Sequence, residues 1–238
     1  VMALFLRLPA VEDLHFRPGQ YVDVILSEGR RRSFSIANAP EDGRHLELHI
    51  RRASSSGFTG QLFDGMGPGT LLRIEGPLGQ FWFHGESPRP PIMIGGGTGY
   101  APLRAMLRQL LANADRRPVT LYWGGRGEDD LYEHDWLREL ESTRPGFSYR
   151  PVLSARQAAD RSWVGRTGMV HEAVLADHDR LEAFDVYASG PPAMIEAIRT
   201  RFVDRGLPRQ QLFFDSFDYA PDTLAKMKAG FDVDSGQA

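Results

Sequence analysis

Residues 92–102 read Ile-Met-Ile-Gly-Gly-Gly-Thr-Gly-Tyr-Ala-Pro, a short apolar run followed by glycines. The segment that comes next has apolar residues at helical spacing, namely Leu103, Met106, Leu107, Leu110 and Leu111. This pattern predicts a buried strand, a glycine-rich turn and an amphipathic helix. Glycines let backbone amides approach a ligand closely, and a helix N-terminus carries partial positive charge. We therefore expect this turn to bind the pyrophosphate of a dinucleotide.

The turn departs from two standard nucleotide-binding motifs. The G-x-G-x-x-G fingerprint fails because Pro102 stands where its last glycine belongs, and a P-loop is excluded because no Gly-Lys-Ser/Thr follows. An ordinary glycine-rich connection that binds nothing is the alternative. The surrounding pattern argues against that alternative.

The alternation of strand and helix continues downstream of the turn. Further apolar strands are predicted at 119–123, 147–153, 185–188 and 212–214, and further helices at 130–141, 168–176 and 191–204. Five apolar strands separated by helices indicate a parallel sheet covered on both faces. Ser189 and Gly190 follow one of these strands, at the carboxyl edge where open α/β sheets bind ligands.

The first 84 residues have a different period. Apolar and polar residues alternate in short runs such as 20–26 and 45–50, and glycine and proline punctuate them, for example at Gly43 and 76–79. This pattern predicts an antiparallel β-barrel or β-sandwich interrupted by one short helix at 59–64. Prolines in 85–91 stop both strand and helix. We expect three parts: the barrel at 1–88, the α/β domain at 89–219 and a tail at 220–238.

One predicted barrel strand carries a candidate binding motif at residues 32–35, Arg-Ser-Phe-Ser. Strand alternation places Arg32 and Phe34 on one face and Ser33 and Ser35 on the other. A phosphorylated aromatic ring system would use a guanidinium, an aromatic face and a hydroxyl at this spacing. The alternative is a solvated basic strand with a phenylalanine in the core.

A second candidate segment follows Arg51, which ends a predicted strand. The residues 54–59 read Ser-Ser-Ser-Gly-Phe-Thr and lead into the short helix. An amide-rich helix start of this kind suits a phosphate group. A plain turn with a capping residue is the alternative.

Composition excludes several classes of function. Lys and Arg total 28 against 31 Asp and Glu, so there is no basic excess to neutralise a nucleic acid. Apolar runs of membrane-spanning length and a signal-like N-terminus are both missing, and we expect a cytoplasmic protein. The chain has no cysteine to form disulfides or to hold zinc or an iron-sulfur cluster. The spacing of His171, Glu172 and His178 is not that of a metal motif.

Taken in order, these motifs resemble the ferredoxin-NADP reductase superfamily, in which a flavin-binding barrel precedes a nicotinamide-binding α/β domain. The likeness covers residues 5–219. The segments 123–126, 163–168 and 212–217 are similar to NAD(P)H:flavin oxidoreductases. Those at 56–59 and 76–79 look more like the bound-flavin reductases of the CDP-6-deoxyglucoseen and multicomponent oxygenase type. The resemblance implies an NAD(P)H-dependent flavoprotein that holds FAD, with FMN as the alternative.

The resemblance assigns roles in the barrel. Arg32 matches the partner of the flavin phosphate, Phe34 lies against the isoalloxazine, and Ser35 bonds near flavin N5 as a catalytic residue. Gly57 and Thr59 match a second phosphate-binding turn. The cofactor-binding residues predicted for the barrel also include Ser33, Arg51 and Phe58. Phe34 replaces the tyrosine of many relatives, and so a phenol hydroxyl is missing.

The resemblance also assigns roles in the α/β domain. Thr98 matches a catalytic position near the nicotinamide ring. Arg126 lies at a position that commonly contacts the adenosine ribose of the coenzyme. The remaining predicted cofactor-binding residues are Gly96, Gly97, Gly99, Ser189, Gly190 and Pro191. Many relatives have Cys-Gly-Pro where this chain has residues 189–191, so the side chain beside the nicotinamide is smaller and more polar here.

The leading interpretation is a reductase that accepts hydride from NADH or NADPH on bound FAD and passes electrons singly to an iron-sulfur protein or oxygenase partner. Because the chain has no cysteine, the cluster must lie on an upstream ferredoxin domain or a separate protein. The first alternative is a flavin reductase that uses flavin as a substrate. The second is a nucleotide-binding module without turnover, which would need only one of the two cofactor motifs.

Overall fold

The computed structural model describes residues 1–9, 14–26, 29–42, 44–52, 57–155 and 163–217. The sequence-based statements about Gly43, the serines at 54–56 and the tail at 220–238 concern residues outside these ranges.

The N-terminal strands are antiparallel, as predicted. They are β1 (Met2–Arg7), β2 (Tyr21–Ile25), β3 (Arg31–Ser35), β4 (His45–Ile50) and β5 (Arg73–Leu78), with helix α1 (Gly57–Asp64) between β4 and β5. Strand β1 pairs with β4, and β2 lies between β3 and β5. A single bridge from Ile36 to Leu48 links the two sheets.

The five strands enclose one core. Period-two alternation places Leu46, Leu48 and Ile50 of β4 on the inner face, where they are fully buried. Phe58 and Leu62 on α1 pack into the same cluster. Burial of such side chains contributes roughly 1.5 to 3 kcal/mol each. The short helix is therefore held to the barrel by its apolar face.

The C-terminal half forms a six-stranded parallel sheet. Its strands are β6 (Pro91–Gly96), β7 (Val119–Gly125), β8 (Phe147–Leu153), β9 (Arg166–Thr167), β10 (Asp185–Gly190) and β11 (Leu212–Ser216), in the order β11-β10-β6-β7-β8-β9. The helices are α2 (Tyr100–Ala112), α3 (His134–Thr143), α4 (Val170–Asp177) and α5 (Pro192–Arg201). All five predicted strands are present. Strand β9 was not predicted, because its two residues are exposed and form no apolar pattern in the sequence.

Both faces of the parallel sheet are covered, as predicted. Trp123 and Met106 belong to a cluster on the α2 and α3 side, whereas Tyr122 and Ile195 belong to one on the α4 and α5 side. No helix in the described part of the chain is long and apolar enough to cross a membrane.

The bounds of the predicted helices differ most from the observed ones at the start of α3 and at the end of α5. The helix predicted to begin at Asp130 begins at His134, because Glu128–Asp130 forms a separate 3-10 turn. The helix predicted to extend to Asp204 ends at Arg201 and is followed by a 3-10 turn that closes on Gly206. Gly206 has a φ of 80°, the left-handed conformation that commonly terminates helical segments.

A buried charged cluster joins the two halves of the molecule. Arg104 on α2 is only 6% exposed, and its guanidinium donates to Glu47 on β4 at 2.7 Å and to Glu133 at 2.9 Å. It also donates to the Ala37 carbonyl at 2.9 Å. The side chains of Glu47, His49 and Glu133 lie close enough together to hold a cation. Arg104 already supplies positive charge between the two carboxylates, so the arrangement needs no metal ion.

Candidate functional site

The glycine turn, defined as residues 96–99, connects β6 to α2. Gly97 has a φ of 56°, which a residue with a side chain rarely adopts. Its carbonyl accepts a hydrogen bond of 2.8 Å from the indole nitrogen of Trp123. The Trp123 ring is fully buried and stacks on Tyr100, with ring centroids 4.0 Å apart. A buried side chain from β7 therefore fixes the conformation of this turn.

The glycine turn packs tightly against the end of β10. A Cβ atom on Gly99 would lie 2.1 Å from the Ser189 carbonyl oxygen, and one on Gly96 would lie 2.8 Å from Pro191 Cδ. Only glycine permits this approach. The fold thus brings together the two groups of residues predicted to bind the nicotinamide nucleotide, 96–99 and 189–191.

Ser189 presents a buried hydroxyl at this junction. Its side chain is fully buried, and its Oγ has no hydrogen-bond partner among the described residues. Leaving such a group unpaired costs about 1 to 3 kcal/mol. The neighbouring strands place Ser189 in register with Gly95 and Asp215. The hydroxyl is therefore an unpaired polar group enclosed by the protein at the end of β10.

Asp215 shows that this strand edge approaches the barrel. Burial raises the pKa of its carboxyl. The pKa of Tyr21 on β2 is raised by burial first and then by the negative charges of Asp23 and Asp215. Tyr21 is in turn the register partner of Ser35 on β3. The negative charge of Asp215 thus acts on a barrel residue that pairs with the predicted flavin strand.

A cleft of about 460 Å³ opens at the carboxyl edge of the parallel sheet. Its volume is within the range of small-molecule sites, and its position is where open α/β sheets bind ligands. The predicted residues that line it are Arg51, Gly96, Gly97, Arg126 and Pro191. Thr98 and Gly99 belong to the glycine turn, Ser189 and Gly190 end the adjacent strand β10, and the Thr98 side chain is half-buried.

Arg51 extends from the end of β4 into this cleft. Its Nη1 donates to Asp130 Oδ1 at 2.6 Å, and a Cβ on Gly97 would lie 3.3 Å from its Nη2. From sequence, Arg51 is expected to bind the flavin together with Gly57 and Thr59. The structure instead places its guanidinium beside the glycine turn, because β4 ends where the two halves meet.

Asp130 is held by two donors. Besides Arg51, the backbone amide of Arg126 donates to its Oδ2 at 2.8 Å. Burial acts to raise the pKa of Asp130, but the Arg126 amide and the Arg51 guanidinium outweigh it and hold the pKa below its usual value. The carboxylate is therefore ionised at neutral pH. The Arg126 side chain is 61% exposed, and its Nε lies 4.0 Å from Asp130.

We call Arg32, Phe34 and Ser35 of β3 the flavin face, although alternation along the strand places Ser35 on the side opposite Arg32 and Phe34. The Phe34 ring lies toward Phe58, with centroids 6.0 Å apart. Ser33 donates its hydroxyl hydrogen to Asp23 at 2.6 Å. All three residues of the flavin face are half-buried.

The start of α1 lies near this face. The helix begins at Gly57, Phe58 is buried in the barrel core, and Thr59 is half-buried in the first turn. A cation, an aromatic ring, a hydroxyl and a helix start are the donor set that a phosphorylated aromatic cofactor requires. The residues present fit a flavin.

A second cleft, of about 540 Å³, lies toward the opposite end of α2. Its lining includes Arg17, Trp82, His84, Gln109 and Asn113, and none of the predicted site residues. The cleft at the sheet edge is therefore the candidate binding site, because the predicted site residues line it and not the second cleft. From sequence, Asp130, together with Glu128 and Asp129, is expected to oppose a 2'-phosphate near Arg126, but neither its pairing with Arg51 nor the role of Trp123 in fixing the glycine turn was predicted.

Comparisons with known proteins agree with this geometry. The model of an oxidoreductase FAD-binding domain matches residues 1–83, and that of an oxidoreductase NAD-binding domain matches residues 93–200. The chain is 41% identical over 217 residues to the CDP-6-deoxy-L-threo-D-glycero-4-hexulose-3-dehydrase reductase of Yersinia pestis, with 91% of this chain and 64% of that protein covered. It is 33% identical to an NAD(P)H-flavin reductase of Aliivibrio fischeri, with 86% of this chain and 87% of that protein covered.

A solved structure shares the fold. The Amycolatopsis cytochrome P450 reductase GcoB superposes with a TM-score of 0.81 at 36% identity, covering 90% of this chain and 64% of that one. The chain thus spans less than two thirds of the Yersinia and Amycolatopsis proteins but most of the Aliivibrio one.

Proposed function

The chain belongs to the FAD- and NAD-binding oxidoreductases of the ferredoxin-NADP reductase superfamily, and from this premise we propose that it is an electron-transfer reductase. It takes a hydride from NADH or NADPH and delivers electrons one at a time to an iron-sulfur protein, either a separate oxygenase or dehydrase partner or a ferredoxin domain of the same polypeptide. Bound FAD supplies the chemistry that connects the two-electron donor to a one-electron acceptor.

Residues of the barrel hold the flavin in this proposal. Arg32 pairs with a flavin phosphate through charge-assisted hydrogen bonds. Phe34 provides an apolar surface for the ring system, and Ser35 orients the edge that receives hydride. Thr59 and the amides at the start of α1 bind phosphate. These side chains are half-buried, so they are shielded from water while one surface stays accessible.

Residues at the edge of the parallel sheet hold the coenzyme. Amides of the glycine turn and the start of α2 face the pyrophosphate. Ser189 packs behind the nicotinamide site at the end of β10, and Thr98 lies beside the ring. Arg126 meets the adenosine ribose. The protein aligns the two cofactors, and this alignment lowers the entropic part of the barrier.

One observation carries the proposal: the barrel meets the edge of the parallel sheet at the glycine turn. Arg51, at the end of β4, borders Gly97 and donates to Asp130 at 2.6 Å. A protein that bound only one nucleotide would not need two sites placed against each other.

The acceptor is inferred from the relatives and from composition. Two of the relatives are named as reductases of another enzyme, a dehydrase and a cytochrome P450. An iron-sulfur cluster needs thiolate ligands, and this chain has no cysteine. The cluster must therefore come from outside residues 1–238.

The test begins with purified protein that is incubated with FAD and then separated from unbound flavin by gel filtration. We expect a yellow protein that reduces ferricyanide rapidly with NADH or NADPH, and that reduces cytochrome c only after a [2Fe-2S] ferredoxin is added. A colourless protein that reduces only added free flavin would contradict the proposal.

That second outcome corresponds to a second candidate function, an NAD(P)H:flavin oxidoreductase. The match to the Aliivibrio enzyme over 87% of its length favours it. So does Phe34, because the missing phenol hydroxyl leaves one fewer polar contact to hold the flavin. A weak flavin affinity together with saturation kinetics in free flavin would support this candidate.

A further inference from the structure

Three charged side chains line the cleft at the sheet edge, within the described residues: Arg51, Arg126 and Asp130. Arg51 comes from the barrel, whereas the other two follow β7. The ion pair between Arg51 and Asp130 is mostly shielded, with side chains 21% and 19% exposed. His171 also lines the cleft, and burial followed by the Arg201 charge lowers its pKa, so that it is neutral at pH 7.

The positions of Arg51, Arg126 and Asp130 matter for the choice between NADPH and NADH. NADPH differs from NADH only by a 2'-phosphate on the adenosine ribose, and the end of the second strand is where that ribose is commonly met. Arg126 attracts a phosphate there, but the Asp130 carboxylate, 4.0 Å from its Nε, repels one. The net charge near the ribose therefore depends on what neutralises Asp130.

We propose that Arg51 is a specificity-determining residue that favours NADPH by cancelling the charge of Asp130 from across the domain junction. This inference rests on the proposed function, because it takes the cleft as the coenzyme site. Arg51 also borders Gly97, and any attraction it exerts on the pyrophosphate acts on both coenzymes equally. The selectivity effect comes only from the carboxylate that it masks.

The test compares the wild-type holoprotein with Arg51→Gln, Asp130→Asn and the double variant. The dissociation constants of NADP+ and NAD+ are measured by calorimetry, together with kcat/KM for NADPH and NADH. Arg51→Gln should lower the preference for the phosphorylated coenzyme by about fivefold to tenfold, as expected for one unmasked charge in a partly shielded cleft. Because Arg51 already masks the carboxylate, Asp130→Asn should leave the preference within about twofold of wild type, and the double variant should return to the same range.

The double variant distinguishes masking from direct contact. If Arg51 bound the 2'-phosphate itself, the double variant would remain as poor with NADP+ as Arg51→Gln, and the proposal would be overturned. An unchanged ratio in Arg51→Gln with normal coenzyme binding would overturn it as well, while the proposed function would stand. Failure of the wild-type protein to bind either coenzyme would reject the proposed function and this inference together.

A matched control removes one positive charge elsewhere. Arg180 is 76% exposed and bonds Glu182 at 2.6 Å, ahead of β10 and therefore at the amino edge of the sheet. Arg180→Gln should leave the coenzyme ratio unchanged. An equal shift in this variant would show an effect of net charge alone and would overturn the role of Arg51.

Discussion

The flavin face and the glycine turn are built in opposite ways. On β3 the binding groups are side chains on a regular strand, and the backbone is committed to pairing with β2. In the glycine turn the backbone itself is the binding surface, and the absence of side chains lets it pack against β10. Truncating a side chain on the flavin face should therefore remove one interaction. Adding a single methyl group to the turn should displace the whole site.

The strongest test of this difference is Gly99→Ala. The new methyl group would lie 2.1 Å from the Ser189 carbonyl, so the turn and β10 must separate. Overpacking of this kind costs about 1 to 3 kcal/mol, which corresponds to a loss of NADPH affinity of up to about a hundredfold if the turn absorbs it. Thermal unfolding and coenzyme titration measure the two effects. Flavin content should be retained.

Gly67→Ala is the matched control for this substitution. Gly67 lies in an exposed turn of the barrel, and a Cβ there would meet no atom within 4 Å. Wild-type coenzyme affinity in Gly99→Ala would mean that the glycine turn tolerates side chains as β3 does.

Arg32→Ala tests the side-chain character of the flavin face. Loss of a guanidinium that pairs with phosphate removes about 1.5 to 3 kcal/mol, or roughly tenfold to a hundredfold in flavin affinity. Equilibrium dialysis with FAD gives the dissociation constant. The neighbouring Arg31 bonds Glu75 at 2.8 Å on the other face of the strand, so Arg31→Ala should retain flavin. Equal flavin affinity in the two variants would reject the role assigned to Arg32.

A smaller effect is expected for Ser35→Ala. If its hydroxyl orients the reacting edge of the flavin only in the transition state, the loss is about 1.4 kcal/mol and the reductive half-reaction slows about tenfold. Stopped-flow absorbance measures this rate. Ser142→Ala is the control, because its hydroxyl donates to the Glu139 carbonyl on α3 and it is not among the predicted site residues. Reduction of Ser35→Ala at the wild-type rate would show that β3 contributes binding only.

The smallest effect is expected for Trp123→Phe. This variant links the two kinds of site, because the Trp123 side chain fixes the backbone conformation of the glycine turn. Phenylalanine keeps an aromatic ring against Tyr100 but loses the hydrogen bond to the Gly97 carbonyl. One such bond contributes about 0.5 to 1.5 kcal/mol, so the KM for NADPH should rise about fivefold. Trp136→Phe on α3, outside the cleft, should leave KM unchanged. An unaltered KM in both variants would mean that the glycine turn holds its shape unaided.

Sequence patterns predicted the antiparallel strands and the parallel sheet, because the spacing of apolar residues and the positions of glycines are local signals. Strand β9 was missed because neither of its two residues is buried, and the start of α3 was misplaced because a 3-10 turn precedes it. The predicted roles of the site residues remain predictions. Contacts between distant residues could not be predicted, since Trp123 and Gly97 are 26 residues apart and Arg51 and Asp130 are 79 apart. Only the fold brings these pairs together.

The cluster around Arg104 limits how the two halves can be recombined. In a hybrid whose barrel comes from a relative, the residues at positions 37 and 47 are those of the relative. The Arg104 guanidinium on α2 stays buried and still needs hydrogen-bond partners at these positions. A partner lost from such a cluster leaves an unpaired buried charge, at a cost of about 3 to 5 kcal/mol. Working hybrids should therefore inherit the residues at 47, 104 and 133 from a single parent.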